Sequence, residues 1–223
     1  MKRLYGKGAT HLLPAGGDLA FVVQQGTNHD KIVVAYKMYS FGADATSPVT
    51  RSVYLLNKFG YHFEFFEKKL RDFLTCQCLL LPERRALIVY PNGAAATFDA
   101  EHKVVWQGDI IHGGSGPHSL VLSGDSFWAS FPKAGSIVRY NIALMREDLR
   151  VGGGDVPPFD RPEGLWAMDG NLLVCNAGSN LIRQLGFPDF TLQDYAEFEE
   201  PVHQYLRFGS REVVLLDSGI YEL

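Results

Sequence analysis

Five stretches of this chain follow one pattern: a polar residue, a short apolar strand, a tight polar turn and a second apolar strand. They begin at His11, Gln77, His118, Glu163 and His203. His118-Ser-Leu-Val-Leu-Ser-Gly-Asp-Ser-Phe-Trp-Ala and Glu163-Gly-Leu-Trp-Ala-Met-Asp-Gly-Asn-Leu-Leu-Val carry it most clearly. The last four starts are spaced by about 40 to 45 residues, the length of one four-stranded propeller blade. Each unit is too small to bury its own apolar face, so such repeats are stable only when stacked against one another.

Further strands can be placed inside the repeats. Ala94–Phe98 and Lys103–Gln107 follow Gln77, and Ser136–Tyr140 and Arg146–Arg150 follow His118. Turns at Pro91-Asn92-Gly93, Ala134-Gly135-Ser136 and Ala177-Gly178-Ser179-Asn180 supply the positive φ that tight hairpins need. No segment sustains the 3.6-residue apolar period of a helix. The expectation is one all-β domain over residues 1–223, a β-propeller of five blades, with six as the alternative.

The last repeat holds three strands, 203–208, 212–217 and 219–223, which is one short of a blade. Lys2-Arg3-Leu4-Tyr5 is expected to supply the fourth, closing the ring with a strand from the opposite chain end and leaving no open sheet edge. The interval from His11 to Gln77 is too long for one ordinary blade. It reads as one blade with an enlarged outer hairpin and an irregular segment at 40–74. Within that segment Tyr61–Phe65 alternates as a strand, whereas Phe66, Leu70 and Phe73 share one helical face.

Composition excludes several classes of function. A net charge of -4 gives no general attraction to nucleic acid or to an anionic membrane. The aromatic and basic stretch from Lys58 to Arg71 is interrupted by Glu64 and Glu67, which argues against a nucleic-acid groove and for a blade edge or a partner contact. No apolar run reaches membrane-spanning length, and none follows the basic Lys2, Arg3 and Lys7 as a signal peptide would require. The expected location is cytoplasmic, and a mature secreted form fits as well. With 3 Cys no disulfide framework is expected. Cys76 and Cys78 are too closely spaced for a metal pair.

The stretches Gly116-Pro-His-Ser-Leu-Val-Leu-Ser-Gly-Asp through Ile137-Val-Arg and Arg161-Pro-Glu-Gly-Leu-Trp through Leu181-Ile-Arg resemble NHL-type propeller repeats. Similar blades occur in the virginiamycin B lyase and gluconolactonase groups. The resemblance is good over 116–185, partial over 75–107 and 201–223, and poor before 75. It points to a propeller, a fold that carries lyases, lactonases and plain scaffolds alike.

In a propeller the first strand of each blade lines the channel, so the five opening residues are expected at its mouth. His11, His118 and His203 with Glu163 and Gln77 concentrate metal-ligand types there, zinc above all. The peptide-amidating lyases are similar NHL-type propellers with a three-histidine zinc site, and the resemblance gives His11, His118 and His203 that part. Glu163 and Asp217 are the candidate catalytic residues, with Gln77, Ser130 and Asn176 as candidate ligand contacts. Gln24, Gln25, Asn92 and Ser218 are expected in turns on the same face, with His112 beside the ring. Gly113-Gly-Ser-Gly and Gly152-Gly-Gly-Asp lack the Lys-Ser/Thr and the following helix of a phosphate loop.

Two readings follow. One is a metal-dependent lyase or hydrolase acting on a small polar substrate. The other is a non-catalytic scaffold that binds a protein, peptide or sugar. The bland alternative for each polar residue is structural: histidines at strand starts satisfy backbone groups, and Asn or Asp in turns caps the local chain. For Glu163 it is a pair with Arg161 or Arg183.

Overall fold

A computed structural model describes residues 1–6, 8–16, 19–28, 31–41, 47–48, 77–90, 92–101, 103–155, 158–168 and 170–223. Among these residues the chain is all-β and forms five four-stranded sheets. In chain order the strands are β1 (Lys2–Tyr5), β2 (Ala9–Gly16), β3 (Leu19–Asn28), β4 (Lys31–Ser40) and β5 (Ser47–Pro48). Then come β6 (Gln77–Leu80), β7 (Ala86–Val89), β8 (Ala94–Phe98) and β9 (Val104–Asp109). They are followed by β10 (Ser119–Ser123), β11 (Ser126–Phe131), β12 (Ser136–Asn141) and β13 (Arg146–Gly152). The last are β14 (Pro162–Met168), β15 (Asn171–Asn176), β16 (Leu181–Gly186), β17 (Thr191–Glu197), β18 (Val202–Phe208), β19 (Arg211–Leu216) and β20 (Gly219–Glu222).

Four sheets follow chain order, β2 to β5, β6 to β9, β10 to β13 and β14 to β17, and the fifth has the order β1-β20-β19-β18. Lys2 pairs with Glu222 and Arg3 with Tyr221, so a strand from the start of the chain completes the sheet at its end. The expected strands at 94–98, 136–140 and 203–208 fall on β8, β12 and β18. Most of the irregular segment, with Tyr61–Phe65, Phe66, Leu70, Phe73 and Cys76, lies outside the described residues.

The chain divides into two compact units, Met1–Phe73 with His203–Leu223, and Leu74–Val202. In the second unit β11 is buried along its whole length, and the two sides of the strand explain why. Phe127, Ala129 and Phe131 join Leu87, Val89, Ala95 and Ile110 in one apolar cluster. Trp128 points the other way, to Phe159, Leu165, Leu172 and Val174 in a second cluster. A strand that alternates between two cores must lie in a sheet covered on both faces. Each fully buried Phe, Leu, Ile or Val side chain among them contributes about 1.5–3 kcal/mol through burial.

In the first unit, Phe41 stacks on Phe208 with centroids 5.1 Å apart, and Tyr5 meets Tyr39 edge-on at 5.2 Å. The buried Arg211 binds Glu222 through two hydrogen bonds of 2.9 and 3.0 Å and donates a third to the Phe41 carbonyl at 2.8 Å. That third bond ties β19 to the end of β4.

Candidate functional site

The most developed polar cluster is built where β14 begins, beside the start of β10 and the end of β15. It starts from a defect in pairing. Pro162 pairs with Asn176 and Leu165 with Val174, so two residues, Glu163 and Gly164, oppose Cys175 alone. This is a β-bulge, a device that re-aims a side chain and takes backbone groups out of the ladder. The Ser130 hydroxyl donates a short hydrogen bond to the Glu163 carbonyl. The Leu165 N–H donates to Ser119 Oγ at 3.3 Å, and the Ser119 N–H donates to Ser130 Oγ at 3.1 Å. Two buried serines of the neighbouring sheet thus serve the bulge. Ser130 lies inside β11 and is fully buried, not in the expected turn.

The bulge places the Glu163 carboxylate between the Arg161 guanidinium and the His118 ring. Its Oε1 is 3.1 Å from Arg161 Nε, and its Oε2 is 3.6 Å from His118 Nε2. The Glu163 side chain is 12% exposed, His118 27% and Arg161 46%. Charge is therefore hidden at the carboxylate and presented to water at the guanidinium.

Arg161 is also held from behind. Its φ of 53° lies in the left-handed region, which costs a non-glycine residue about 1–2 kcal/mol and persists only where surroundings impose it. The Ala177 N–H donates to the Arg161 carbonyl at 3.1 Å, and the Gly178 N–H to the Asp160 carbonyl at 3.0 Å. Asn176 Oδ1 accepts from the Asp160 N–H at 2.7 Å, while its Nδ2 donates to Ser179 Oγ at 2.6 Å. Asn176 thus clamps the chain before β14. The Asp160 carboxylate lies across Gly178, where any Cβ would come within 2.3 Å of it. Of the two arginines weighed as partners of Glu163, Arg161 fills that part. Arg183 instead binds Asp194 at 3.1 Å and the Pro158 carbonyl at 2.6 Å.

The other expected residues are described within their own units. In the first unit, His203 Nε2 is 2.6 Å from Asp217 Oδ1, and Asp217 sits in the two-residue turn between β19 and β20. Ser218, in the same turn, meets the Tyr221 hydroxyl at 2.8 Å. His11, on β2 of that unit, is 3.2 Å from Thr10 Oγ1 through its Nδ1. Gln77 opens β6 and is buried, paired with Val89. Asn92 caps its own turn by accepting from the Ala94 N–H at 3.1 Å. Gln24 and Gln25 are not turn residues: they pair with Ala35 and Val34 in the long β3–β4 hairpin. Among the described residues no three or more His, Cys, Asp or Glu side chains are grouped as a metal site would need.

His112 pairs with Glu147 on β13 at 3.1 Å and meets the Phe131 ring edge-on at 4.8 Å. Burial pushes its pKa down, helped by the charge of Arg150 and opposed by Glu147.

No family model matches the chain, and no curated protein does. Solved structures match at the level of fold. Virginiamycin B lyase from Staphylococcus aureus is similar over 96% of this chain and 63% of its own, with 13% identity and a TM-score of 0.52. BamB from Moraxella catarrhalis is similar over 97% of this chain and 58% of its own, with 10% identity and a TM-score of 0.50. The WD40 repeats of RRP9 match over 67% of this chain and 51% of theirs, with 8% identity and a TM-score of 0.53. The chain therefore spans only about half to two thirds of the length of these proteins. What it has in common with them is the fold, the β-propeller.

Proposed function

We propose that this chain is a five-bladed β-propeller, its last blade completed by the N-terminal strand, that acts as a non-catalytic binding module for a polar ligand. The ligand would be taken at the Arg161, Glu163 and His118 cluster. The observation that carries this reading is the effort spent on positioning Arg161. Its strained backbone, its two-sided clamp and the bulge beside it hold a half-exposed guanidinium in place, and strain of this kind gathers at ligand clamps.

The same geometry weighs against catalysis by Glu163. A general base needs a lone pair within reach of the proton it takes. One oxygen of Glu163 faces the Arg161 guanidinium and the other the His118 ring, so the carboxylate is engaged in holding its neighbours.

The test is chemical-shift mapping of the isotope-labelled protein against a panel of small polar compounds: sugars, amines, carboxylic acids, phosphate and short peptides. The expected result is saturable shifts at residues 118, 160–163 and 177 without consumption of the compound. Turnover of a lactone or amide that is lost in Glu163→Gln would overturn the non-catalytic reading. Shifts confined to other residues would overturn the site.

A further inference from the structure

Resting on that reading of the site, we infer that the ligand group it recognises is an anion, a carboxylate or phosphate oxygen pair received by the guanidinium of Arg161. A guanidinium carries five N–H donors in a planar fork, arranged to meet two oxygens at once. Here Nε lies 3.1 Å from Glu163 Oε1, so the guanidinium sits against a carboxylate fixed in the fold. The arginine side chain is 46% exposed, so an anion can approach it from solvent.

Three features make this more than an ordinary surface arginine. Exposed ion pairs contribute little because two long side chains must be ordered to form them. Here the acidic partner is already fixed, since Glu163 is mostly buried and its backbone carbonyl is held by Ser130. The arginine's own backbone is fixed too, by the Ala177 N–H and by a left-handed φ. Lastly, the two neighbouring carboxylates have defined places. Glu163 is flanked by Arg161 and His118, and the Asp160 carboxylate lies over Gly178. The backbone and the acidic partner are thus ordered in the fold, and preorganisation of that kind favours binding.

The experiment titrates the labelled protein with succinate, inorganic phosphate, glucose and ethylammonium, following the Arg161 Nε–H and the amides of 160–163 and 177. Arg161→Lys and Arg161→Gln are run in parallel, with their spectra elsewhere checked against the parent. The expected result is a saturable shift with succinate, phosphate or both, weakened at least about fivefold by Lys, which keeps the charge without the fork, and lost with Gln. Succinate alone would assign carboxylate recognition, phosphate alone phosphate recognition, and either supports the inference. Anion binding that survives Arg161→Gln unchanged overturns it. Shifts at these residues with glucose or ethylammonium and not with either anion also overturn it, while leaving the binding-module reading intact. No shift at these residues with any of the four, nor with the wider panel, overturns both.

Discussion

His118 and His203 stand at corresponding places in their repeats, and each meets a carboxylate, but the two pairs are built differently. In the first, the acid is hidden and the pair is loose: Glu163 is 12% exposed and 3.6 Å from His118. In the second, the acid is open to water and the pair is tight: Asp217 is 59% exposed and 2.6 Å from His203. Glu163 comes from a bulged strand braced by serines of the next sheet, and Arg161 is its further partner. Asp217 comes from a hairpin turn. The difference teaches that the same residue types in the same repeat position need not give equivalent sites. What a pair can do depends on which partner is desolvated and on what holds it.

The sheets that carry the two pairs differ as well, and the largest expected effect tests that. The His203 sheet uses both ends of the chain, with β1 on β20 and Arg3 donating to the Ser218 carbonyl at 3.0 Å. Deleting residues 1–5 should expose the β20 edge and lower the melting temperature by more than about 5 °C. A shift below 1 °C in a thermal scan would show that β1 adds nothing to that sheet.

On the other side of the comparison, Ser130→Ala removes the donor to the Glu163 carbonyl and the acceptor for the Ser119 N–H. Leaving buried polar groups unmet should cost about 1–3 kcal/mol in urea unfolding. The Arg161 and Glu163 resonances should move as the bulge relaxes. A neutral result would mean that the bulge holds itself.

The pH dependence of stability offers a finer test of the end-built sheet. Hydrogen bonds from Arg211 hold the Glu222 carboxyl below its usual value of 4.5. The folded state then binds fewer protons than the unfolded state, so the contribution is present above that pH and is lost as pH falls through the lowered value. Glu222→Gln should flatten the stability profile on the acid side of pH 4.5, measured by urea unfolding in steps of pH.

Smaller still is the expected effect of Asp217→Asn. The acid is exposed, so the cost should stay below about 1 kcal/mol despite the short distance. A loss several times larger would make the His203 pair a structural anchor, more like the Glu163 cluster than it looks.

The last test concerns metal: elemental analysis of tag-free protein, repeated on His118→Ala. Near-stoichiometric zinc that disappears in the variant would return the metal-dependent reading to the front.

Much of the strand order was legible because a blade-length repeat imposes it. Alternating apolar residues and Gly-rich turns report local backbone geometry, and strands such as β8, β12 and β18 follow from that. The places of His118, Glu163 and His203 near strand starts were legible too, since the repeat sets them. Their use was less so. Ser130 and Asn176 read as ligand contacts when placed in turns, yet Ser130 bonds a bulge across 33 residues and Asn176 fixes Asp160 across 16. Arg161 entered only as a possible neighbour of Glu163.

The sequence by itself thus determined that the chain is all-β, where most strands run, and which residues gather at strand starts. Only the tertiary structure decided that Glu163 lies on a bulge, that its carboxylate faces Arg161 and His118, and that Arg161 takes a left-handed backbone. The reason is physical. Periodicity encodes which way a side chain leaves its own strand, whereas a bulge is set by pairing with another strand, and its energy by serines on two others.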